Sequence, residues 1–111
     1  MKLPGDTPIP QSKLTQYLLV VKRRNDKSKW LAQAGYTIEN WQLLEADLRS
    51  QILSLEATVV ENTQYGQMYE IYGNLTGPNG NTIATVTIWM TEVSTEITKF
   101  ITMYPDKGRG Q

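Results

Sequence analysis

The sequence predicts an α+β domain: about three N-terminal helices packed on one face of a four-stranded antiparallel β-meander. Three observations predict it. Apolar residues recur with a helical period as far as Leu55 and with a period of two after it. Gly, Pro and Asn clusters at Gln64-Tyr65-Gly66 and Gly77-Pro78-Asn79-Gly80 mark short turns, and short connections favour antiparallel neighbours. The chain has 111 residues with 40% hydrophobic residues, the size and composition of a single domain with one core. We place that domain at residues 1–105, with residues 106–111 as a flexible tail.

The opening MKLPGDTPIP carries three prolines and reads as an extended surface segment. Leu14, Tyr17, Leu18 and Val21 fall at i, i+3, i+4 and i+7, which predicts a first helix from Ser12 to Val21. Lys22-Arg23-Arg24-Asn25 reads as a loop. Asp26 is a good N-cap for a short second helix whose Trp30, Leu31 and Ala34 face inward. Gly35 ends it in the C′ position. Thr37 caps a third helix, with Glu39 in its first turn and a buried stripe of Trp41, Leu44, Leu48, Ile52 and Leu55. Glu45 and Arg49 form an outward i,i+4 pair.

The second half reads as strands at Glu56–Thr63, Gln67–Leu75, Asn81–Glu92 and Ile97–Tyr104, with Pro105 as a stop. In the third strand Ala84, Val86, Ile88 and Met90 alternate with Thr85, Thr87, Trp89 and Thr91. The aliphatic set is expected to face the core and Trp89 the open side. An open Trp89 would stack a base or anchor a protein partner; the alternative is a minor cluster with neighbouring strands.

Composition excludes several chemistries. With no cysteine there are no disulfides, thiolate nucleophiles or Cys-based zinc sites. With no histidine the chain lacks the commonest neutral-pH base and metal ligand. No P-loop, GxGxxG or HExxH motif is present, and no tight Asp/Glu cluster points to a metal, so neither cofactor nor metal is expected. The longest apolar run, Tyr17 to Val21, is far too short for a membrane span, and the N-terminus does not read as a signal peptide. A cytoplasmic protein is the expectation.

Formal net charge is zero, but the charges are divided. Lys22 to Lys29 holds five basic residues and one acid; Glu56 to Glu96 holds five acids and no base. If Asp26 caps the second helix, Lys27 and Lys29 sit in its first turn, where cations oppose the macrodipole. Together with Arg23 and Arg24 they form a candidate anion or nucleic-acid site. The alternative is two solvated faces of opposite sign, and the Asp26 carboxylate competes for the same N–H groups. Tyr104, with Thr102 near the end of the last strand, is a further candidate for proton transfer. The candidates for catalysis are Lys27, Lys29 and Tyr104: Lys27 or Lys29 with Arg24 would stabilise phosphate charge, and Tyr104 would donate or accept a proton.

Several pieces taken together resemble a bacterial domain family of unknown function: Leu3-Pro4, the Lys13-Leu14-x-x-Tyr17-Leu18-Leu19 helix, Ala34-Gly35-Tyr36-Thr37-x-x-Asn40-Trp41 and Tyr104-Pro105. The resemblance runs from Lys2 to Pro105. Its members are similar to barnase–EndoU–colicin–RelE-type nuclease domains, which implies helices followed by a four-stranded antiparallel sheet. Many members carry a His-Lys pair at the start of the second helix. Here Asp26-Lys27 stands there, with Lys29 where an Arg is common. The resemblance implies that a histidine-dependent chemistry is lost here, or is done by Lys and Arg as in RelE-like ribonucleases. The expectation is a small binding or regulatory module in a toxin–antitoxin-like or phage-defence setting, with RNA or a protein as partner. The alternatives are a metal-independent endoribonuclease and a structural subunit that uses its sheet face around Trp89.

Overall fold

The computed structural model describes residues 1–23 and 27–107. Three helices precede a four-stranded antiparallel sheet of order β1-β2-β3-β4, an α+β fold. The first helix, α1, spans 11–18: one α turn at Gln11–Lys13 runs into a π turn at Leu14–Leu18. It ends where Leu19 N–H donates to Leu14 C=O, three residues before the expected Val21. Val21 is exposed rather than part of the stripe. Helix α2 is only Ser28–Ala32. Its exit is a Schellman motif: Tyr36 N–H bonds Leu31 C=O, Gly35 N–H bonds Ala32 C=O, and Gly35 has φ 93°.

Helix α3 spans 38–52, in 3₁₀ (Ile38–Asn40), α (Trp41–Asp47) and π (Leu48–Ile52) pieces. Its start is held by Thr37 N–H, which donates to Asn40 Oδ1 at 2.7 Å. Leu44, Leu48 and Ile52 are fully buried, while Trp41 is partly buried and Leu55 is exposed. Arg49 does more than pair with Glu45. Its guanidinium donates to the Gly5 and Thr7 carbonyls at 2.8 and 3.0 Å. It thereby ties the opening segment to α3. That segment is no surface strap: Leu3, Thr7 and Ile9 are buried, and Phe100 N–H donates to Pro8 C=O at 3.0 Å.

The strands are β1 (Thr58–Asn62), β2 (Gly66–Thr76), β3 (Thr82–Glu92) and β4 (Thr98–Pro105). The turn between β2 and β3 docks on the exit of α2, where Asn79 and Asn81 side chains both donate to Gln33 C=O. Gly77 is required there, since a Cβ would collide with the Ala34 carbonyl.

The register corrects the expected face of β3. Tyr69 pairs with Trp89, Ile71 with Thr87, and Leu75 with Ile83. Trp89 in turn pairs with Phe100, and Thr87 with Met103. All of these residues are buried, most of them with no exposed surface, so Trp89 lies in the core and not on an open face. It meets Phe100 edge-on, with centroids 5.2 Å apart. The threonines on this face are polar only in name. Thr85 and Thr87 hydroxyls donate to the Gly73 and Ile71 carbonyls, and Trp89 Nε1 donates to Thr87 Oγ1 at 2.8 Å. Among the described residues, burial therefore leaves no side-chain donor unmet. Buried side chains from all three helices and from β2, β3 and β4 form one core cluster.

Candidate functional site

The opposite sheet face holds the candidate site. Glu70, Ile88 and Thr102 lie in one row across β2, β3 and β4; Tyr72, Val86 and Tyr104 lie in the next. Strand spacing puts Glu70 and Thr102 about 10 Å apart along the row. Glu70 is the one ionisable group in β2 apart from the tyrosines, and period-two alternation turns it away from Ile71. Its carboxylate accepts from Tyr72 OH at 2.7 Å and lies 3.5 Å from Tyr104 OH.

At the β4 end of the row a second cluster forms around Tyr17. Lys27 Nζ donates to Thr102 Oγ1 at 3.1 Å and to Tyr17 OH at 3.3 Å. Lys22 Nζ sits over the Tyr17 ring, 4.1 Å from its centroid, and Lys27 Nζ lies 5.3 Å from the same centroid. One phenol thus gathers two cations.

Two of the phenols on this side of the sheet, Tyr17 and Tyr104, are tuned in opposite directions. The Thr102 hydroxyl and then the Lys27 ammonium, helped by the charge of Lys22, hold the Tyr17 phenol below its ordinary value, against partial burial. Partial burial first, then the charge of Glu70, pushes the Tyr104 phenol up. Tyr17 is therefore the readier of the two to ionise.

The expected site residues divide. Lys27 belongs to the Tyr17 cluster, and Tyr104 lies two residues along β4 from Thr102 on the same face. Lys29 is elsewhere: exposed on α2, it lines a cavity of about 290 Å³ with Leu19, Val21, Ile38 and Glu39. Arg23 is exposed in the turn after α1, and Arg24 and Asp26 lie outside the described residues. Lys27 immediately precedes α2 and makes no side-chain cap hydrogen bond, and the expected Asp26 cap lies outside the described residues. With five residues α2 has little macrodipole to oppose. The Lys27 ammonium reaches the sheet at Thr102. Trp89 has no part in the face at all.

Sequence reasoning missed Tyr17, Lys22 and Glu70. Tyr17 was absorbed into an apolar helical stripe, although its ring is amphipathic. Glu70 left a usable signal, a lone carboxylate inside an otherwise uncharged strand. Among the described residues no three acidic side chains gather as a metal site, and no helix is long and apolar enough to cross a membrane.

Comparison with known proteins adds a family and no activity. The family model described as Domain of unknown function (DUF6883) matches residues 5–107. No curated protein and no solved structure matches the chain.

Proposed function

We propose that this chain, which belongs to the DUF6883 family, binds the phosphodiester backbone of single-stranded RNA where Lys22 and Lys27 converge on Tyr17. That convergence is the observation that carries the reading. Two ammonium groups beside one ring repel each other, and a shared anion relieves the repulsion. A phosphate there has the Thr102 hydroxyl within reach, and the exposed Tyr104 ring offers a base a surface to stack on. The three helices back the Trp89 face in this reading and leave the Glu70 face to the ligand. Arg23 and Arg24, from the same basic loop, add to the field. The carboxylates of β1 and β2 keep the anion near β4.

The test is a salt titration of binding to a labelled single-stranded RNA oligonucleotide. Affinity falls linearly on a log–log plot, and Lys22→Ala with Lys27→Ala removes two phosphate contacts, reducing the slope by roughly 1.4. Binding that ignores salt, or a slope unchanged in the double variant, defeats the reading.

A second reading is metal-independent RNA cleavage, as the resemblance to barnase–EndoU–colicin–RelE-type domains implies. The pairing of Glu70 with Tyr104 favours it: a carboxylate placed to take a proton from a 2′-hydroxyl, beside a phenol kept protonated. Cations at the β4 end would stabilise the phosphorane charge. RNA incubated with the protein and a chelator is then cleaved, and Glu70→Gln slows cleavage by about 100-fold or more. RNA that binds but stays intact leaves binding as the function.

A further inference from the structure

We infer that the outer edge of β1 docks a short, basic, extended segment of a partner protein as a fifth strand. The two edges of the sheet differ. At β4 the Pro8 carbonyl covers part of the edge by accepting from Phe100 N–H. At β1 all five residues are exposed, Val59 and Val60 each to 45%, and among the described residues no strand flanks it. Unpaired N–H and C=O groups along such an edge are a template for strand addition.

The start of that edge already pairs. Ala57 N–H donates to Met1 C=O at 2.6 Å, and Met1 N lies 3.5 Å from Ala57 C=O. This exchange is the hydrogen-bonded pair of an antiparallel ladder. Backbone groups alternate in direction along a strand, so Val59 presents its N–H and C=O on the same edge as Ala57. The bulge between Val59 and Glu61 ends the regular stretch, so the docked segment is short.

Charge selects the partner. The sheet half holds five carboxylates and no cation between Glu56 and Glu96. Two of them, Glu56 and Glu70, line a groove of about 560 Å³ beside β1 with Leu55, Thr58 and Tyr72. The Met1 N-terminus already pairs with Glu56 at 2.5 Å, so a Lys or Arg of the docked strand shares that carboxylate or reaches Glu70, with Leu55 as an apolar wall for its stem. A second copy of β1 would instead bring two acidic sheet halves together, which disfavours self-pairing.

The experiment uses the full chain and a fluorescein-labelled Lys-Val-Lys-Val-Lys peptide, read by anisotropy. The peptide binds, and Glu56→Gln weakens it by about tenfold. N-methylating alternate amides of the peptide abolishes binding in one alternation and spares it in the other, because only one edge pairs. This control leaves the protein unaltered, so it cannot be confused with misfolding. The inference is overturned if neither peptide set binds, if both methylated forms bind equally, or if Glu-Val-Glu-Val-Glu binds as well. It is also overturned if sedimentation finds a dimer that Val59→Lys dissociates, since a second copy then owns the edge.

Discussion

The two faces of the sheet use the same alternation and nearly the same residue types to opposite ends. On one, Ile71, Thr87, Trp89 and Phe100 have no exposed surface, and each polar atom is spent inside the core. On the other, Glu70, Tyr72, Thr102 and Tyr104 are partly exposed, and their hydroxyls converge on charges. Threonine appears on both. Thr87 closes a hydrogen bond to its own sheet, whereas Thr102 bonds a lysine from outside it. Residue type alone therefore does not assign a face. What decides is whether the polar atom finds a partner that burial also permits.

Substitutions sharpen that contrast. The largest effect belongs to Trp89→Ala, which leaves a cavity beside Phe100 and should cost about 3–5 kcal/mol in a denaturant titration. A smaller loss would mean that the buried face is loosely packed. Tyr36→Phe comes next. The Tyr36 hydroxyl is buried and donates to Asp47 at 2.6 Å, so its removal should cost about 1–2 kcal/mol.

The same tyrosine gives the fold a basic limit. Burial, then Asp47, raises its folded-state pKa. Above about pH 10 the unfolded chain ionises this phenol and the folded one does not. Its contribution is therefore complete below that pH and lost above it. The wild-type stability curve should fall there, and the Tyr36→Phe curve should fall less.

The open face should respond in titration rather than in stability. Lys27→Ala removes a donor and a charge from Tyr17, so phenol absorbance should show that group titrating at higher pH. Glu70→Gln should change stability by no more than about 0.5 kcal/mol and lower the Tyr104 titration. If Glu70→Gln unfolds the chain, the two faces are not the separate structural and chemical surfaces described above.

Periodicity made the order of elements legible, because a switch from 3.6 to 2 survives in sequence whatever the tertiary contacts. Gly35 and Thr37 announced the junction of α2 and α3, since positive φ and capping are local needs. The face of β3 was not legible. Ala84, Val86, Ile88 and Met90 are the more aliphatic set, but the largest side chain, Trp89, took the core and the threonines beside it found sheet carbonyls. The site was half legible. Lys27 and Tyr104 stood out as residues, but their partners, Tyr17 and Glu70, are set by contacts ten to thirty-four positions away in the chain.

The bond between Pro8 and Phe100 spans most of the chain and sets a schedule. Residues 3–9 leave the ribosome well before their sheet partner is made. Until β4 emerges, Pro8 has no strand to bond and β3 has an open flank. Loops closed over such separations form slowly, and unfinished sheets invite foreign strands. Nascent chains released before residue 100 should therefore aggregate rather than fold, with completion of the last strand the step that closes the domain.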